Sequence, residues 1–235
     1  MNKVRDRIAR LLSDLSSSVA TGLHGEQEHP ARPKIFCIGR NKTGTTSLKK
    51  AFEDLGYVVG DQPQAEVLYD QHYFARRFDP IVQYCKSAQV FQDVPFSCPH
   101  LFVELDQRFP GSKFILSVRD SPEQWYSSLT RFHAKIWGTN GLPPNAEQLR
   151  NATYVRRGFA YNLVKLYGTT DAEPYAKETL MAHYCRHNEA VLDYFKDRPG
   201  DLLVVNLSDK SSYRRFVDFL GVDSPYDTFP WENQT

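Results

Sequence analysis

The sequence has no long apolar stretch and few cysteines. Its 235 residues contain no run near the roughly 18 apolar residues of a membrane span, which excludes that kind of helix at the level of pattern. The four cysteines lie far apart and form no CxxC pair, which argues against a disulfide scaffold and favours reduced thiols. Residues 1–23 are charged throughout, so we expect no secretory signal and a cytoplasmic location.

Charge of either sign is not in excess. The 29 Lys and Arg residues nearly balance the 28 Asp and Glu residues, which leaves a net charge of +1. Proteins whose main partner is nucleic acid usually carry a basic excess, so this balance argues against nucleic acid as a partner. Hydrophobic residues make up 41% of the chain, as in a folded domain with its own core.

The N-terminal stretch differs from the rest of the chain. Apolar residues recur at helical spacing over residues 2–20, which predicts an amphipathic helix. Residues 22–32 are polar and contain glycine and proline, as linkers do. We therefore expect an N-terminal helix and linker over residues 1–33 and a second unit over residues 34–235. The helix either packs against that unit or forms a homodimer, and the pattern leaves both open.

From residue 34 onward, short apolar runs alternate with amphipathic stretches. This alternation is typical of an α/β domain with a parallel sheet. Helical patterns over 138–198 interrupt it, and we expect them to form a helical cap over the sheet edge where ligands bind in such folds. The predicted strands are residues 34–38, 57–59, 89–92, 113–118 and 202–206. The predicted helices are residues 45–55, 63–87, 101–109, 122–136, 147–167, 174–197 and 213–220.

A glycine-rich loop separates the first predicted strand from the first predicted helix. Residues 39–46 read GRNKTGTT, and Gly39 and Gly44 have the spacing of the Walker A loop, G-x-x-x-x-G-K-[ST]. A loop between a strand and a helix N-terminus is suited to hold a phosphate group with backbone N–H groups. Thr45 occupies the position of the Walker lysine, and Lys42 lies inside the loop instead. Since the Walker lysine reaches the β- and γ-phosphates of a nucleoside triphosphate, this loop is suited to a different anion.

Two motifs resemble those of the sulfotransferases that use 3′-phosphoadenosine 5′-phosphosulfate (PAPS). Residues 42–46 read KTGTT and are similar to the family's 5′-phosphosulfate loop, commonly K-[ST]-G-T-T. Arg119 ends a predicted strand and Ser127 follows eight positions later, which resembles the family's 3′-phosphate motif. The resemblance covers residues 34–233 and is closest to a compact P-loop group whose loop reads N-[KR]-T-G-T-[TS]-S-L.

The resemblance implies a P-loop NTPase-like parallel sheet flanked by helices and a sulfotransferase activity. The implied reaction moves a sulfuryl group in line from PAPS to a hydroxyl or amine, releases adenosine 3′,5′-bisphosphate (PAP) and needs no metal. The implied partner is a small-molecule or glycan acceptor, and Lys42 is implied to act as a catalytic residue on the leaving group. The implied donor-binding residues are Arg40, Asn41, Lys42, Thr43, Gly44, Thr45, Thr46, Ser47, Arg119 and Ser127.

Two parts of this donor site depart from the family's pattern. Ser47 stands where members often have a tryptophan that stacks on adenine, and Trp125 and Tyr126 are candidate replacements. The Arg-Lys-Gly run that completes the 3′-phosphate site in cytosolic members is absent. The basic residues considered in its place are Lys210, Arg214 and Arg215.

The reaction also needs a general base that faces the loop and accepts the acceptor's proton. Asp93 ends the third predicted strand, at the place before x-Pro where several cytosolic sulfotransferases carry a histidine. The resemblance therefore makes Asp93 the candidate base. From the residues alone, Asp93 has two other roles open to it: to cap the helix that begins near Ser97, or to pair with Lys42. Two histidines, His100 and His133, are alternative bases.

Two further sequence signals are weaker, and two alternative functions stay open. His183 and His187 stand four residues apart, which is half of a zinc site, but no third ligand is near and we expect an ordinary helix face. Four aromatic residues between 154 and 167 predict core, with an acceptor pocket as the alternative. Two other functions stay open, a P-loop small-molecule kinase and a non-catalytic nucleotide-binding protein. The absent Walker lysine argues against the kinase.

Overall fold

The computed structural model describes residues 33–230. The helix and linker predicted over residues 1–33 therefore lie almost entirely outside the described residues. The strands are β1 (Ile35–Cys37), β2 (Val90–Phe91), β3 (Lys113–Val118) and β4 (Leu202–Asn206). The helices are α1 (Thr45–Asp54), α2 (Gln62–Leu68), α3 (Asp79–Tyr84), α4 (Leu101–Arg108), α5 (Pro122–Ile136), α6 (Ala146–Asn151), α7 (Asn162–Tyr167), α8 (Lys177–Phe195) and α9 (Ser212–Leu220). A π-helical turn follows α2 (Tyr69–Tyr73), and a 3₁₀ turn precedes α7 (Phe159–Tyr161).

The four strands form one parallel sheet in the order β2-β1-β3-β4, which confirms the predicted α/β class. Successive side chains of a strand point to opposite faces of its sheet. Phe36 packs on one face with α2, α3, α4 and α8, and its neighbours Ile35 and Cys37 pack on the other face with α1 and α9. Because both faces are covered, the strands are mostly apolar, with IFC in β1, VF in β2, KFILSV in β3 and LLVVN in β4.

Residues 57–59 do not form the predicted fifth strand. Val59 makes only a single parallel bridge to Val90. The chain turns away at once because Asp61 caps the N-terminus of α2 and accepts a hydrogen bond from the N–H of Gln64 at 2.8 Å. Apolar character alone predicted a strand, but the local cap ends the pairing after one residue.

The predicted helix over residues 147–167 is also wrong, because the structure divides it into α6, a 3₁₀ turn and α7. Gly158 has a φ of +79°, a left-handed backbone conformation that a continuous helix cannot contain. The predicted cap likewise divides in two. Residues 154–167 face the ligand edge of the sheet, whereas α8 packs on the sheet itself through Val191 and Phe195.

None of the helices within residues 33–230 combines the length and the apolar character that crossing a bilayer requires.

Candidate functional site

A cavity of about 230 Å³ opens where the parallel strands end. The loop after β1 forms one wall, and Asp93 after β2 and Arg119 after β3 lie beside it. The opposite wall comes from α5 and from residues 154–167. Ligands bind at this edge in open α/β sheets, so the topology brings the predicted donor motifs together.

Close packing and two left-handed residues shape the loop after β1. A Cβ atom at Gly39 would lie 2.2 Å from Ser117 Oγ, so only glycine fits against β3 there. Lys42 and Gly44 have φ values of +69° and +101°. Gly44 is the N-cap of α1 and supplies no side-chain cap, and the first turn of α1 lines the cavity. A helix N-terminus in this position attracts an anion through its N–H groups and its dipole.

Lys42 is the half-buried cation of this loop. Its Nζ lies 3.7 Å from the centre of the Phe132 ring, which is a cation–π contact. Burial lowers the pKa of Lys42 to about 8, and the carboxyl group of Asp93 opposes this shift. The structure therefore holds an ammonium group at the wall of the cavity, at the position where the motif predicts it.

Arg119 connects the second motif to the first. Its Nε donates a hydrogen bond to the carbonyl oxygen of Lys42 at 2.8 Å, and its backbone N–H donates to the Tyr184 hydroxyl at 2.9 Å. The nearby Asp120 carboxylate accepts hydrogen bonds from Asn206 and Gln124 instead. The guanidinium group thus lines the cavity beside the loop.

Lys42 and Arg119 form a positive edge of the cavity. Two cations on α5, Arg131 and Lys135, lie near this positive edge, and the sequence reasoning missed both. Burial lowers the pKa of Arg119 and that of Lys42, and the like charge of Arg131 adds to the first shift and that of Lys135 to the second. Ser127 is exposed and lies one helical turn before Arg131, so both side chains share one face of α5. The four-residue spacing between Ser127 and Arg131 is the sequence signal that could have identified Arg131.

Asp93 is held beside the loop by two hydrogen bonds. The Thr45 hydroxyl donates to Oδ2 at 3.1 Å, and the N–H of Val94 donates to Oδ1 at 2.8 Å. Burial raises the pKa of Asp93, and these hydrogen bonds with the charges of Arg40 and Lys42 oppose the shift. None of the ion pairs within residues 33–230 joins Asp93 to Lys42.

The two alternative bases have different surroundings. His133 lines the cavity, but its Nδ1 is hydrogen-bonded to the Tyr175 hydroxyl at 2.8 Å. Burial and the charge of Lys42 lower the pKa of His133 to about 3, which makes it a poor proton acceptor. His100 is the N-cap of α4 and does not line the cavity. The geometry therefore favours Asp93.

Two predicted donor residues turn their side chains away from the cavity. The Arg40 guanidinium is fully buried, donates a hydrogen bond to the Ser97 carbonyl oxygen and lies 5.2 Å from the centre of the Tyr167 ring. The Thr43 hydroxyl donates to the Arg40 carbonyl oxygen at 2.6 Å. These side chains brace the loop from behind, so only their backbone is available to an anion.

The candidate adenine and phosphate contacts also differ from expectation. Trp125 is buried, stacks on Tyr184 with ring centres 4.8 Å apart and donates a hydrogen bond to the Asn41 carbonyl oxygen at 3.0 Å, so its faces are not open to adenine. The Tyr126 hydroxyl donates to the Tyr175 carbonyl oxygen at 3.1 Å. None of the three basic residues considered as the completion of the 3′-phosphate site lines the cavity. Two of them lie on α9 and form ion pairs: Arg214 with Asp218 on the same helix, and Arg215 with Asp209, which precedes it.

Glu66 is a cavity residue that the sequence reasoning missed. It lies on α2, and its Oε1 accepts a hydrogen bond from the Tyr154 hydroxyl at 3.1 Å. Burial and the charge of Asp93 raise the pKa of Glu66 to about 8. A single glutamate on a short helix has no local pattern that marks it, because only the fold brings α2 to the end of β2.

Aromatic side chains cover the wall away from the loop. Tyr154 and Phe159, predicted as core, line the cavity together with Trp137. The centre of the Tyr154 ring lies 6.0 Å from that of Trp137 and 5.5 Å from that of Phe159. Tyr167 also lines it, whereas Tyr161 lies outside and hydrogen-bonds Asp171. Phe159 and Tyr167 are buried in hydrophobic clusters, and Tyr154 and Tyr161 pack against them, so the core prediction is confirmed. Three of the four residues also line the cavity.

The histidine pair on α8 is part of the core, as expected for a helix face. His187 Nε2 is hydrogen-bonded to the Ile38 carbonyl oxygen at 2.8 Å, and the His183 ring lies 4.9 Å from that of Tyr167. In the part of the chain that the structure describes, no group of three or more His, Cys, Asp or Glu residues is placed to hold a metal ion.

Comparison with known proteins adds one finding. A family model described as a sulfotransferase domain matches residues 34–235, which is most of the chain. A comparison with curated proteins gives no significant match.

Proposed function

Because the chain belongs to the sulfotransferase domain family, we propose that it transfers a sulfuryl group from PAPS to a hydroxyl or amine of a small-molecule or glycan acceptor. The observation that carries this proposal is the hydrogen bond from Arg119 Nε to the Lys42 carbonyl oxygen at 2.8 Å. It joins the loop that resembles a 5′-phosphosulfate site to the residue that resembles a 3′-phosphate site. Both line one cavity, as a donor with two anionic ends requires.

The donor is held at both ends in this proposal. The backbone of the loop and the N-terminus of α1 bind the phosphosulfate, with Lys42 beside it. Arg119 and the exposed Ser127 bind the 3′-phosphate, and Arg131 supplies a further charge on the same face of α5. This arrangement places the donor's charges against the positive edge and leaves the aromatic wall to the acceptor.

The transfer itself exchanges one S–O bond for another. The acceptor oxygen or nitrogen attacks sulfur from the side opposite the leaving group, and the bond from sulfur to the 5′-phosphate oxygen breaks. Its electron pair stays on PAP, where Lys42 and the loop N–H groups stabilise the growing negative charge. The acceptor's proton goes to Asp93. The Thr45 hydroxyl holds that carboxylate in place.

Ligand-induced thermal stabilisation tests the donor assignment. We expect PAP to raise the melting temperature of the wild-type protein, and ATP with Mg²⁺ to raise it much less, because a ligand stabilises only the state it binds. Lys42→Ala and Arg119→Ala should reduce the PAP shift, and Lys196→Ala, an exposed lysine paired with Asp193, is the matched control. Stabilisation by ATP with Mg²⁺ alone would indicate a kinase. PAP binding without transfer from labelled PAPS to any acceptor would indicate a non-catalytic binding protein.

A further inference from the structure

The acceptor side of the cavity carries two carboxyl groups. Glu66 comes from α2 and Asp93 follows β2, and both line the same cavity as the aromatic rings of Trp137, Tyr154 and Phe159. Burial and the charge of Asp93 raise the pKa of Glu66 to about 8, as expected for two carboxyl groups that line one cavity. Asp93 has a role in the proposed reaction, whereas that reaction leaves Glu66 without one.

The hydrogen-bond partners that the described residues supply to Glu66 are neutral. The Tyr154 hydroxyl donates to its Oε1 at 3.1 Å, and Gln62 is its second hydrogen-bond partner. No ion pair found within residues 33–230 includes Glu66. Asp70, one turn further along the chain, shows the contrast, because Arg156 binds both of its oxygens at 2.6 Å. Within the described part of the chain, Asp70 is thus paired with an arginine, whereas Glu66, which faces the cavity, is paired with no cation.

The cations of the cavity lie on the donor side. Arg119 is hydrogen-bonded to the loop, and Lys42 lies against Phe132. A bound donor carries several negative charges and would occupy both cations. The carboxyl of Glu66 is then left without a counter-charge in a half-buried site, and its pKa near 8 reflects the free energy that its ionisation requires there. A positive group on the acceptor would remove that penalty.

We propose that Glu66 is a specificity-determining residue that binds the ammonium group of a cationic acceptor whose body is aromatic or apolar. This inference rests on the proposed function. The acceptor's ammonium lies at Glu66 and its reacting hydroxyl or second amine lies at Asp93. Carboxylates surrounded by aromatic rings suit an organic cation, since the ring faces attract positive charge while the ring area covers an apolar body. Acceptors that carry a carboxylate or phosphate are disfavoured at this end of the cavity.

A matched pair of probes tests the charge preference. Tyramine and 4-propylphenol share the phenol and the chain length and differ in that an ammonium replaces a methyl group. In the presence of saturating PAP, we expect wild-type protein to bind tyramine at least about tenfold more tightly by calorimetry. In Glu66→Gln, which keeps the size and the hydrogen-bond acceptor for Tyr154, the ratio of the two affinities should fall to near one. Glu178→Gln is the matched control, because Glu178 is exposed and does not line the cavity.

The binding of the two probes either supports or overturns the role of Glu66. The inference is overturned if tyramine binds wild-type protein no more tightly than 4-propylphenol, whether both bind or neither does. It is also overturned if Glu66→Gln weakens both probes by the same factor, because that result means a general change of the cavity. The PAP-induced rise in melting temperature is measured on the same samples. Its absence overturns the proposed function, and the inference with it, whereas its presence without a charge preference overturns the inference alone.

Discussion

Arg119 Nε donates a hydrogen bond to the Lys42 carbonyl oxygen at 2.8 Å, across 77 residues of chain. This bond leaves the remaining guanidinium nitrogens beside the cavity and ties the end of β3 to the loop after β1. Lys42 needs such support, because its φ of +69° is a left-handed conformation that side chains other than glycine adopt rarely. The two ends of the candidate donor site are therefore positioned by each other.

Removal of the Lys42 ammonium should slow sulfuryl transfer. We expect Lys42→Ala to lower kcat with PAPS by about 10²-fold or more, because the charge on the leaving oxygen loses its nearest cation. Steady-state kinetics on the variant and on the Lys196→Ala control measure this effect. A change in kcat of less than about threefold would contradict the role of Lys42.

Loss of the arginines at the positive edge should act on donor binding. Arg119→Ala should weaken PAP binding by about 10- to 100-fold, and Arg131→Ala should weaken it less, because Arg131 is exposed to solvent. Titration calorimetry at low and high salt distinguishes the contribution of Arg131 from that of Arg119, since salt screens an exposed charge more. Arg214→Ala is the control, because Arg214 pairs with Asp218 away from the cavity. Equal PAP affinity in all three variants would refute the assignment of the 3′-phosphate site.

Asp93 should affect the chemical step and not the donor. We expect Asp93→Asn to lower kcat by about 10²-fold or more with little change in PAP affinity, because an amide cannot accept the acceptor's proton. The Thr45 hydroxyl donates a hydrogen bond to Oδ2 and thereby lowers the pKa of Asp93. Thr45→Val removes this hydroxyl, so the pKa of Asp93 should rise. The acidic limb of kcat should therefore move to higher pH in that variant. An unchanged pH profile in Thr45→Val, together with an active Asp93→Asn, would point to a different base.

The pKa of Lys42 should set the alkaline limb of donor capture. Because burial lowers that pKa to about 8, the ammonium loses its proton as the pH rises through this value. We expect kcat/KM for PAPS, which reports the free protein, to fall above about pH 8. In Lys42→Arg the guanidinium stays charged, so the fall should disappear from this range. A limb that is the same in both proteins would belong to another group.

The buried histidines should make the fold sensitive to acid. Burial lowers the pKa values of His133 and His187 to about 3 and that of His183 to about 2, so the unfolded chain binds protons that the folded protein does not. Between about pH 6.5 and 3 the free energy of unfolding should fall as the pH falls, by up to about 1.4 kcal/mol per pH unit for each histidine. Urea denaturation at several pH values measures the slope.

A single substitution shows which part of that slope comes from the core. His187→Gln should reduce the slope by about one proton. His72→Gln is the comparison variant, because His72 is more exposed than His187. If both variants keep the wild-type slope, acid acts on the fold through other groups.

The loop and the strand end that form the proposed donor site could be located from local pattern. Gly39, Gly44 and the strand before them specify a strand, loop and helix N-terminus without help from distant residues. The same holds for Arg119 at the end of a buried strand. Parallel strands end at one edge, so two such motifs must meet there once the sheet is correct.

The errors arise where distant contacts override local pattern. Arg40 is a cation in a loop that resembles an anion site, yet the space behind the loop encloses it against Tyr167 and Ser97. Trp125 is an aromatic residue near a nucleotide motif, yet stacking on Tyr184 takes its ring into the core. No local sequence pattern marks either burial, because Arg40 is buried against Tyr167 of α7 and Trp125 against Tyr184 of α8.

The sequence by itself determined the parallel α/β class, the glycine-rich loop between strand and helix and the order of the two proposed donor motifs, because each depends on residues that are neighbours in the chain. Tertiary structure alone decided the side of the cavity proposed for the acceptor, where Glu66 on α2, Asp93 after β2 and Tyr154 before the 3₁₀ turn line one cavity. The physical reason is that the charge balance of a cavity is a property of everything that surrounds it. That Glu66 forms no ion pair among the described residues is visible only once the fold shows where the neighbouring cations lie.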